Sequence, residues 1–564
     1  MADIYIEAGV NKDLLAVTLE SLITIHVYKL CNSKEITLNV VLSEKLNCDH
    51  KRLFQINLNE VQFKKCEEQP AIAPFCKWPA VVAGTSVTAG LSSVCRLIIK
   101  LSRNQKALPL LGFREACLMA CNEVSIWTKF CEVDIINTIK DYLTSPENYI
   151  KNDSFYVPID VSRFENHMSE PVKIHNVYKM ARLKNNNKLL SSTVPVDQLN
   201  ISHKFAEGPH ITLSDVLLFP CFKIFFKTLG NSFESLPLTS AWYQSVADEL
   251  KEFQIDFSYP TFKTSLLDMN IVQFPIVKKS LYISDPKRYN PQSRMFTKQY
   301  NIEKVLHENK ELCDAITSRE TPFGVDIPFS WDDLPLDASP ESGALPESRA
   351  VRKCQQLENL AKATVKVTSL KKIETIVDFC SGSGHLGILV ATLLPNCHVI
   401  LVENKERSLK RAQERISKMN LSNVSVVQSN LDYFNARFDL GLALHACGVA
   451  TDLVIQACIR NKADFVCCPC CYGGIHNCHH LSYPRSERFR SSLEYKDYLI
   501  ISHSADQTHE EENVKTAQGY LCMNLIDTDR SLYANECGYK MHLSKLFPSS
   551  CTPKNNLLVG LYNL

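Results

Sequence analysis

Three glycines, Gly382, Gly384 and Gly387, interrupt an apolar run, VDFCSGSGHLG at 377–387, and one carboxylate, Glu403, ends the next, HVILVE at 398–403. The spacing is G-x-G-x-x-G between a strand-like ETIVDFC and a helix-like HLGILVATLL. In that context glycines make a tight turn and let a ligand approach backbone N–H groups. Glu403 lies 19 residues past Gly384, close to the roughly 20 expected of an acid that grips a ribose diol. Asp378, four residues ahead of Gly382, suits an ammonium and would repel a pyrophosphate. Asn430 and Asp432, just past NVSVVQS, are candidates to read an adenine edge. Together these residues predict a nucleoside cofactor lying across the ends of buried parallel strands. S-adenosylmethionine is favoured over a nicotinamide dinucleotide by Asp378, and a degenerate, non-catalytic pocket is the third reading.

A second group of residues could act on an acceptor. His445, Cys447 and Asp452 fall in FDLGLALHACGVATD (438–452), and Cys470 and Cys471 in ADFVCCPCCYG (463–473). Both segments read as strands whose carboxyl ends border the ligand crevice. His445 is a candidate to shape the pocket or remove a proton. The run CCPCCYGGIHNCHH (467–480) admits three readings. Zinc is one, with His476, Cys478, His479 and His480 close by, although alternate residues of a strand face opposite ways and only part of the set could meet. A covalent role for Cys470 or Cys471 is another: addition to C6 of a flipped pyrimidine, so that C5 accepts a methyl group. Small apolar cysteines packing a sheet edge are the third. The assignment is His445, Cys470 and Cys471 as catalytic residues, with no metal.

The elements that must carry these residues follow from pattern. ESRAVRKCQQLENL (347–360) reads as a helix ahead of the first strand, 405–419 as a helix behind Glu403, and GYKMHLSKLF with NNLLVGLYN as a closing hairpin. Upstream, DIYIEAG (3–9), a helix through LLAVTLESLITIHVYKL, and EITLNVVL (35–42) make a βαβ opening. A strand headed by Pro79 and a helix at 91–101 come next, and the signal to about 255 is helical, with a loop-like insert near 150–210. ITLSDVLLFPCF begins a helix at which Thr212 would accept a free N–H and Asp215 would face the dipole. FSWDDLPLDASPESGALPES (329–348) reads as a linker or loose strap.

The chain has 564 residues, 45% hydrophobic, with 62 Lys+Arg against 61 Asp+Glu, so any polyanion-binding surface must be local. Two candidates for RNA are 277–301, with basic residues among Tyr282, Tyr289, Phe296 and Tyr300, and SYPRSERFR at 482–490. An odd count of 23 cysteines and a start without a signal peptide favour reduced thiols and a cytoplasmic location. Glycines and Pro395 divide the apolar stretch 379–402 into pieces too short for a membrane span.

Residues 349–564 resemble class I S-adenosylmethionine methyltransferases, through the glycine loop, Glu403 and the final hairpin. The pairing of ALHACGVATD with a later PCC resembles a superfamily that includes tRNA 2′-O-methyltransferases, and RNA pyrimidine-5 methyltransferases place a cysteine near the same strand end. Residues 1–255 resemble the glutathione transferase fold through their element order and T-L-S-D helix start. The activating Tyr, Ser or Cys is missing from EAGVNKDLL, and Leu91-Ser92 stands where that family has an acidic-Ser pair. The two-part layout resembles the family of glutathione S-transferase C-terminal domain-containing proteins. The resemblance implies an α/β architecture: a thioredoxin-like domain (1–105), a helical transferase-like domain (106–255), a linker (256–348) and a doubly wound, Rossmann-like methyltransferase domain (349–564). It implies a methyltransferase using S-adenosyl-L-methionine, acting on tRNA or rRNA, with the transferase-like region docking a protein partner or a second copy. The alternatives are a scaffold with a vestigial nucleotide pocket and, further off, a glutathione transferase.

Overall fold

The computed structural model describes the chain except residues 1, 12, 44–52, 67, 69–70, 72, 121, 123–124, 153, 175, 185, 187–189, 230–234, 254, 259–271, 278–279, 283–297, 341–346, 479, 509–512 and 564. It divides into two compact units, residues 1–285 and 286–564.

In the first unit, strand Ala2–Asn11 pairs in parallel with Ile36–Leu42 across helix Leu19–Cys31, and antiparallel with Ala80–Ala83. The helix begins later than its apolar pattern suggests. Leu14–Val17 alternates buried and half-buried and folds back as a strand on the first one; Thr18 then caps the helix, its side chain accepting the Ser21 N–H. Helices Ile135–Thr144, Ile159–Ser169, Leu213–Leu229 and Pro237–Glu249 form the remainder of its core. The insert expected to be a loop contains one of these helices, because Phe164 and His167 are buried. At the T-L-S-D start it is Asp215 that caps: Oδ2 accepts the Thr212 N–H at 2.8 Å, and Oδ1 accepts from Ala206 N–H and the Trp242 indole, both at 2.7 Å.

The second unit carries α1 (Glu347–Leu370), β1 (Thr375–Phe379), α2 (His385–Leu393), β2 (His398–Glu403), α3 (Glu406–Lys418), β3 (Val424–Gln428), β4 (Leu440–Cys447), α4 (Val449–Asn461), β5 (Asp464–Cys470), α5 (Tyr495–Ser504), α6 (Val514–Glu536), β6 (Tyr539–Lys545) and β7 (Asn556–Tyr562). The sheet order is 3-2-1-4-5-7-6, parallel apart from β7, which runs against both neighbours. The first five strands are buried almost throughout, which is why they read as unbroken apolar runs. The order reverses between β1 and β4, and such a switch point opens the crevice where ligands bind.

The segment read as a linker belongs in part to this unit. Ile302, Val305 and Leu312 enter a core with Leu453, Phe489, Tyr498 and Ile526. Phe329 and Trp331 pack on the other core cluster, and Arg415 holds the strap by donating to Asp337 O at 2.7 Å. Helices α5 and α6 went unread in the sequence. No helix among the described residues is long and apolar enough to cross a membrane.

Candidate functional site

The loop from β1 to α2 turns on three left-handed residues in alternate positions: Cys380 (φ 54), Gly382 (φ 56) and Gly384 (φ 73). Cys380 takes a conformation that favours glycine, and so the sequence motif did not reveal it. Gly387 serves packing instead. A Cβ there would lie 2.2 Å from Leu401 Cδ2 and 3.0 Å from Asp378 Oδ2. Around Gly382 the space is open, with no atom within 4 Å of an added Cβ.

Glu403, at the end of β2, turns its carboxylate to this loop. Oε2 accepts the Gly382 N–H at 3.0 Å, while Oε1 accepts Asn404 and Lys405 N–H at 3.0 and 2.9 Å. A carboxylate has about four acceptor positions, so Oε2 keeps one for a ribose hydroxyl. Two serines flank the end of β2: Ser381 N–H donates to Val402 O and Ser429 N–H to Glu403 O. Their hydroxyls are buried and unbonded among the described residues. An open cradle, a spare carboxylate position and orphaned hydroxyls together fit an adenosyl cofactor.

Asp378 is buried at the end of β1, with Oδ2 accepting the Gly387 N–H at 2.8 Å. Burial, and then the nearby Glu403 charge, push its carboxyl up to about 7. Asn430 stands beside Asn404, at 3.4 Å, whereas Asp432 is engaged by His480, Nε2 to Oδ1 2.6 Å.

His445 is exposed near the end of β4 in a left-handed conformation, φ 66. Its Nε2 lies 2.9 Å from Gln356 Oε1. The Gln356 amide nitrogen donates to Cys551 O at 2.9 Å, which turns its oxygen toward the imidazole. Nε2 is therefore the protonated nitrogen and Nδ1 carries the lone pair. Desolvation, then the Lys353 charge, lower the His445 pKa and keep the ring neutral. His445 opens onto a pocket with Gln356, Arg349, Arg352 and Lys353 of α1 and with Thr552. Lys353 also acts on His385, the residue after the glycine loop, so the cationic pocket and the cofactor loop adjoin. Burial, then Arg415, bring Lys353 down to about 8. The sequence reading missed Lys353, Gln356 and the two arginines, although their i, i+3, i+4 and i+7 spacing places them on one helix face.

Cys447, Cys470 and Cys471 come together, their sulfurs all within 4.8 Å. Cys470 is buried, with its sulfur 3.2 Å from that of Cys447. Hydrogen bonds with Cys447 and Cys470 lower the Cys471 thiol, and those with Cys447 and Cys471 raise Cys470. The other members of the run lie elsewhere: His476 Nδ1 is on Gly474 O at 3.0 Å, Cys478 packs against an apolar core, and His480 is on Asp432. His479 is outside the described residues. Asp452 is not in the pocket; it is buried in α4 and bonded twice by Arg530 of α6, at 2.6 and 3.0 Å.

Most of the basic residues of 277–301 are outside the described residues, and Tyr282 is turned inward onto His167 and His203. In 482–490, Arg485 is buried over Tyr533, 4.3 Å from the ring centre, and only Arg488 and Arg490 are exposed arginines.

Residues 352–478 match a family model described as a methyltransferase domain. Over 502 residues the chain is 43% identical to the glutathione S-transferase C-terminal domain-containing protein homolog of Drosophila melanogaster, covering 85% of this chain and 84% of that one. A stretch of 64 residues is 38% identical to ribosomal RNA small subunit methyltransferase G of Bifidobacterium adolescentis, 26% of that protein. Among solved structures, the SAH-bound methyltransferase PaMTH1 of Podospora anserina aligns at 9% identity and a TM-score of 0.25, over 42% of this chain and 98% of that one. The sheet order and the glycine loop are those of a class I methyltransferase domain, the fold that binds S-adenosylmethionine.

Proposed function

The chain belongs to the family of glutathione S-transferase C-terminal domain-containing proteins, and from that premise we propose that it catalyses methyl transfer from S-adenosylmethionine to RNA. When bound, the cofactor supplies a methyl group already activated by its sulfonium. The protein's part is to bind and to orient. Glu403 accepts a ribose hydroxyl at Oε2, the loop at Gly382 leaves room for the cofactor, and Asp378, once ionised, favours its ammonium. His445 offers a neutral Nδ1 to an acceptor proton, oriented by Gln356 through Nε2.

The observation that carries the acceptor class is the pocket at His445, where Arg349, Arg352 and Lys353 line one wall. Cations in that number suit a phosphodiester backbone, and the short likeness to a ribosomal RNA methyltransferase agrees. Among the described residues of the first unit, burial pushes up the thiols of Cys31, Cys95, Cys117, Cys131 and Cys221, so none of these five is activated. A cytoplasmic site of action fits a cysteine-rich chain with no disulfide among the described residues.

Calorimetric titration of cofactor into the full chain should show binding that Glu403→Ala weakens about 10- to 150-fold, the equivalent of about 1.5–3 kcal/mol for hydrogen bonds to a charged group. Labelled methyl groups from the cofactor should enter cellular RNA, and Arg349→Glu should cut that incorporation while leaving cofactor affinity intact. No binding at millimolar cofactor would favour the scaffold reading, and label found in protein alone would overturn the RNA acceptor.

A further inference from the structure

We propose that Cys447, Cys470 and Cys471 bind one zinc ion, with its fourth coordination position open to solvent. Their sulfurs lie within 4.8 Å of one another. Three thiolates around a tetrahedral zinc, with bonds of about 2.3 Å, stand about 3.8 Å apart, so the set needs only a small adjustment.

Two backbone features create this convergence. Cys447 and Cys470 are register partners at the ends of β4 and β5, beyond an irregularity that begins at Leu444. Cys471 follows directly, and in an extended chain it would point away from Cys470. Its left-handed conformation, φ 52, turns it back onto the same side, at a strain of about 1–2 kcal/mol for a side-chain-bearing residue. Simple packing of apolar thiols does not explain that strain, because Cys447 and Cys471 are exposed.

The surroundings brace the site. A Cβ on Gly448 would lie 2.7 Å from Gly474, so the loops after the two strands are in close contact. Asp506 accepts the Tyr472 and Gly473 N–H groups at 3.0 and 2.8 Å, and Lys554 is 3.1 Å from Asp506. A divalent ion on three thiolates carries one net negative charge. As the three Zn–S bonds form, the three thiol protons pass to solvent, so occupancy falls at low pH. With one thiol buried and two exposed, the vacant coordination position faces outward, as in zinc sites that take water or a substrate atom. The proposal does not depend on which molecule accepts the methyl group.

The test uses the full chain purified under reducing conditions. Elemental analysis should find one zinc per chain, and the cobalt(II) form should show thiolate charge-transfer and tetrahedral d–d absorption. Cys447→Ser, Cys470→Ser and Cys471→Ser should each lower metal content, while His476→Ala and Cys478→Ser leave it unchanged. The cobalt spectrum of the parent decides the matter even where a serine variant fails to fold. Metal-free protein that gives no such spectrum, a Cys447–Cys470 disulfide in freshly isolated protein, or loss of metal from the His476 or Cys478 variants instead would each overturn the proposal.

Discussion

Asp378 and Asp452 show how far a single residue can be read. Each is an acid near the carboxyl end of a parallel strand, and the sequence placed both at the ligand crevice. Asp378 is tied to the glycine turn. Asp452 is committed to Arg530, 78 residues away in the chain, and to the Tyr483 hydroxyl at 2.8 Å, a partnership no local pattern reveals. Removing one side of a buried ion pair leaves the other charge uncompensated. Asp452→Ala should therefore cost about 3–5 kcal/mol of unfolding free energy in urea, with a much smaller loss if Asp452 lay in a solvated pocket. Asp378 makes a different prediction. Its folded pKa of about 7 exceeds the unfolded value of about 3.9, so the fold favours the neutral acid. That stabilisation is fully present below the unfolded value and is lost as pH rises through about 7. Cofactor-free protein should lose stability between about pH 5 and 7 at up to about 1.4 kcal/mol per pH unit from this group, then level off. Asp378→Asn should remove that slope, a difference readable from urea midpoints across the range.

At the scale of elements, the glycine turn was legible because its three glycines do separable work that still left one spacing. Gly382→Ala meets open space but carries φ 56, so it should cost about 1–2 kcal/mol of stability. It should cost more in cofactor affinity, since the methyl group enters the cradle. Gly387→Ala drives a Cβ into Leu401, and overpacking should cost about 1–3 kcal/mol, with affinity reduced only as the turn shifts. Comparing melting with calorimetric titration for the two variants checks the division of roles. The parallel strands were readable for the same reason: burial on both faces makes them continuous apolar runs. Helix α6 was not. It is buried on several sides, and its Asp527, Asp529 and Arg530 are matched by Tyr472, Asn556, Ser486 and Asp452, which breaks the apolar periodicity that marks a helix. The early strand Leu14–Val17 was lost in the opposite way, its apolar residues merging with those of the helix behind it.

For the molecule as a whole, the informative boundary is the one that composition misplaced. Prolines and acids in 329–348 suggested that the methyltransferase half begins near 349, but its apolar contacts begin earlier. Ile302, Val305 and Leu312 are buried against Leu453, Tyr498 and Ile526, and Phe329 and Trp331 cover the cluster that contains Leu389 and Leu401. Burying an aliphatic side chain of this size contributes about 1.5–3 kcal/mol, so the three fully buried residues alone are comparable with a domain's net stability of about 5–15 kcal/mol. The two clusters that these side chains join are drawn from within residues 286–564. A fragment of residues 286–564 should therefore melt cooperatively and bind the cofactor as the full chain does. A fragment of residues 349–564 keeps every residue of the glycine loop and Glu403 yet exposes the faces that those side chains cover. It should melt lower, aggregate, and bind a hydrophobic dye strongly. Equal stability of the two fragments would mean that the strap contributes nothing and that the catalytic half begins at α1.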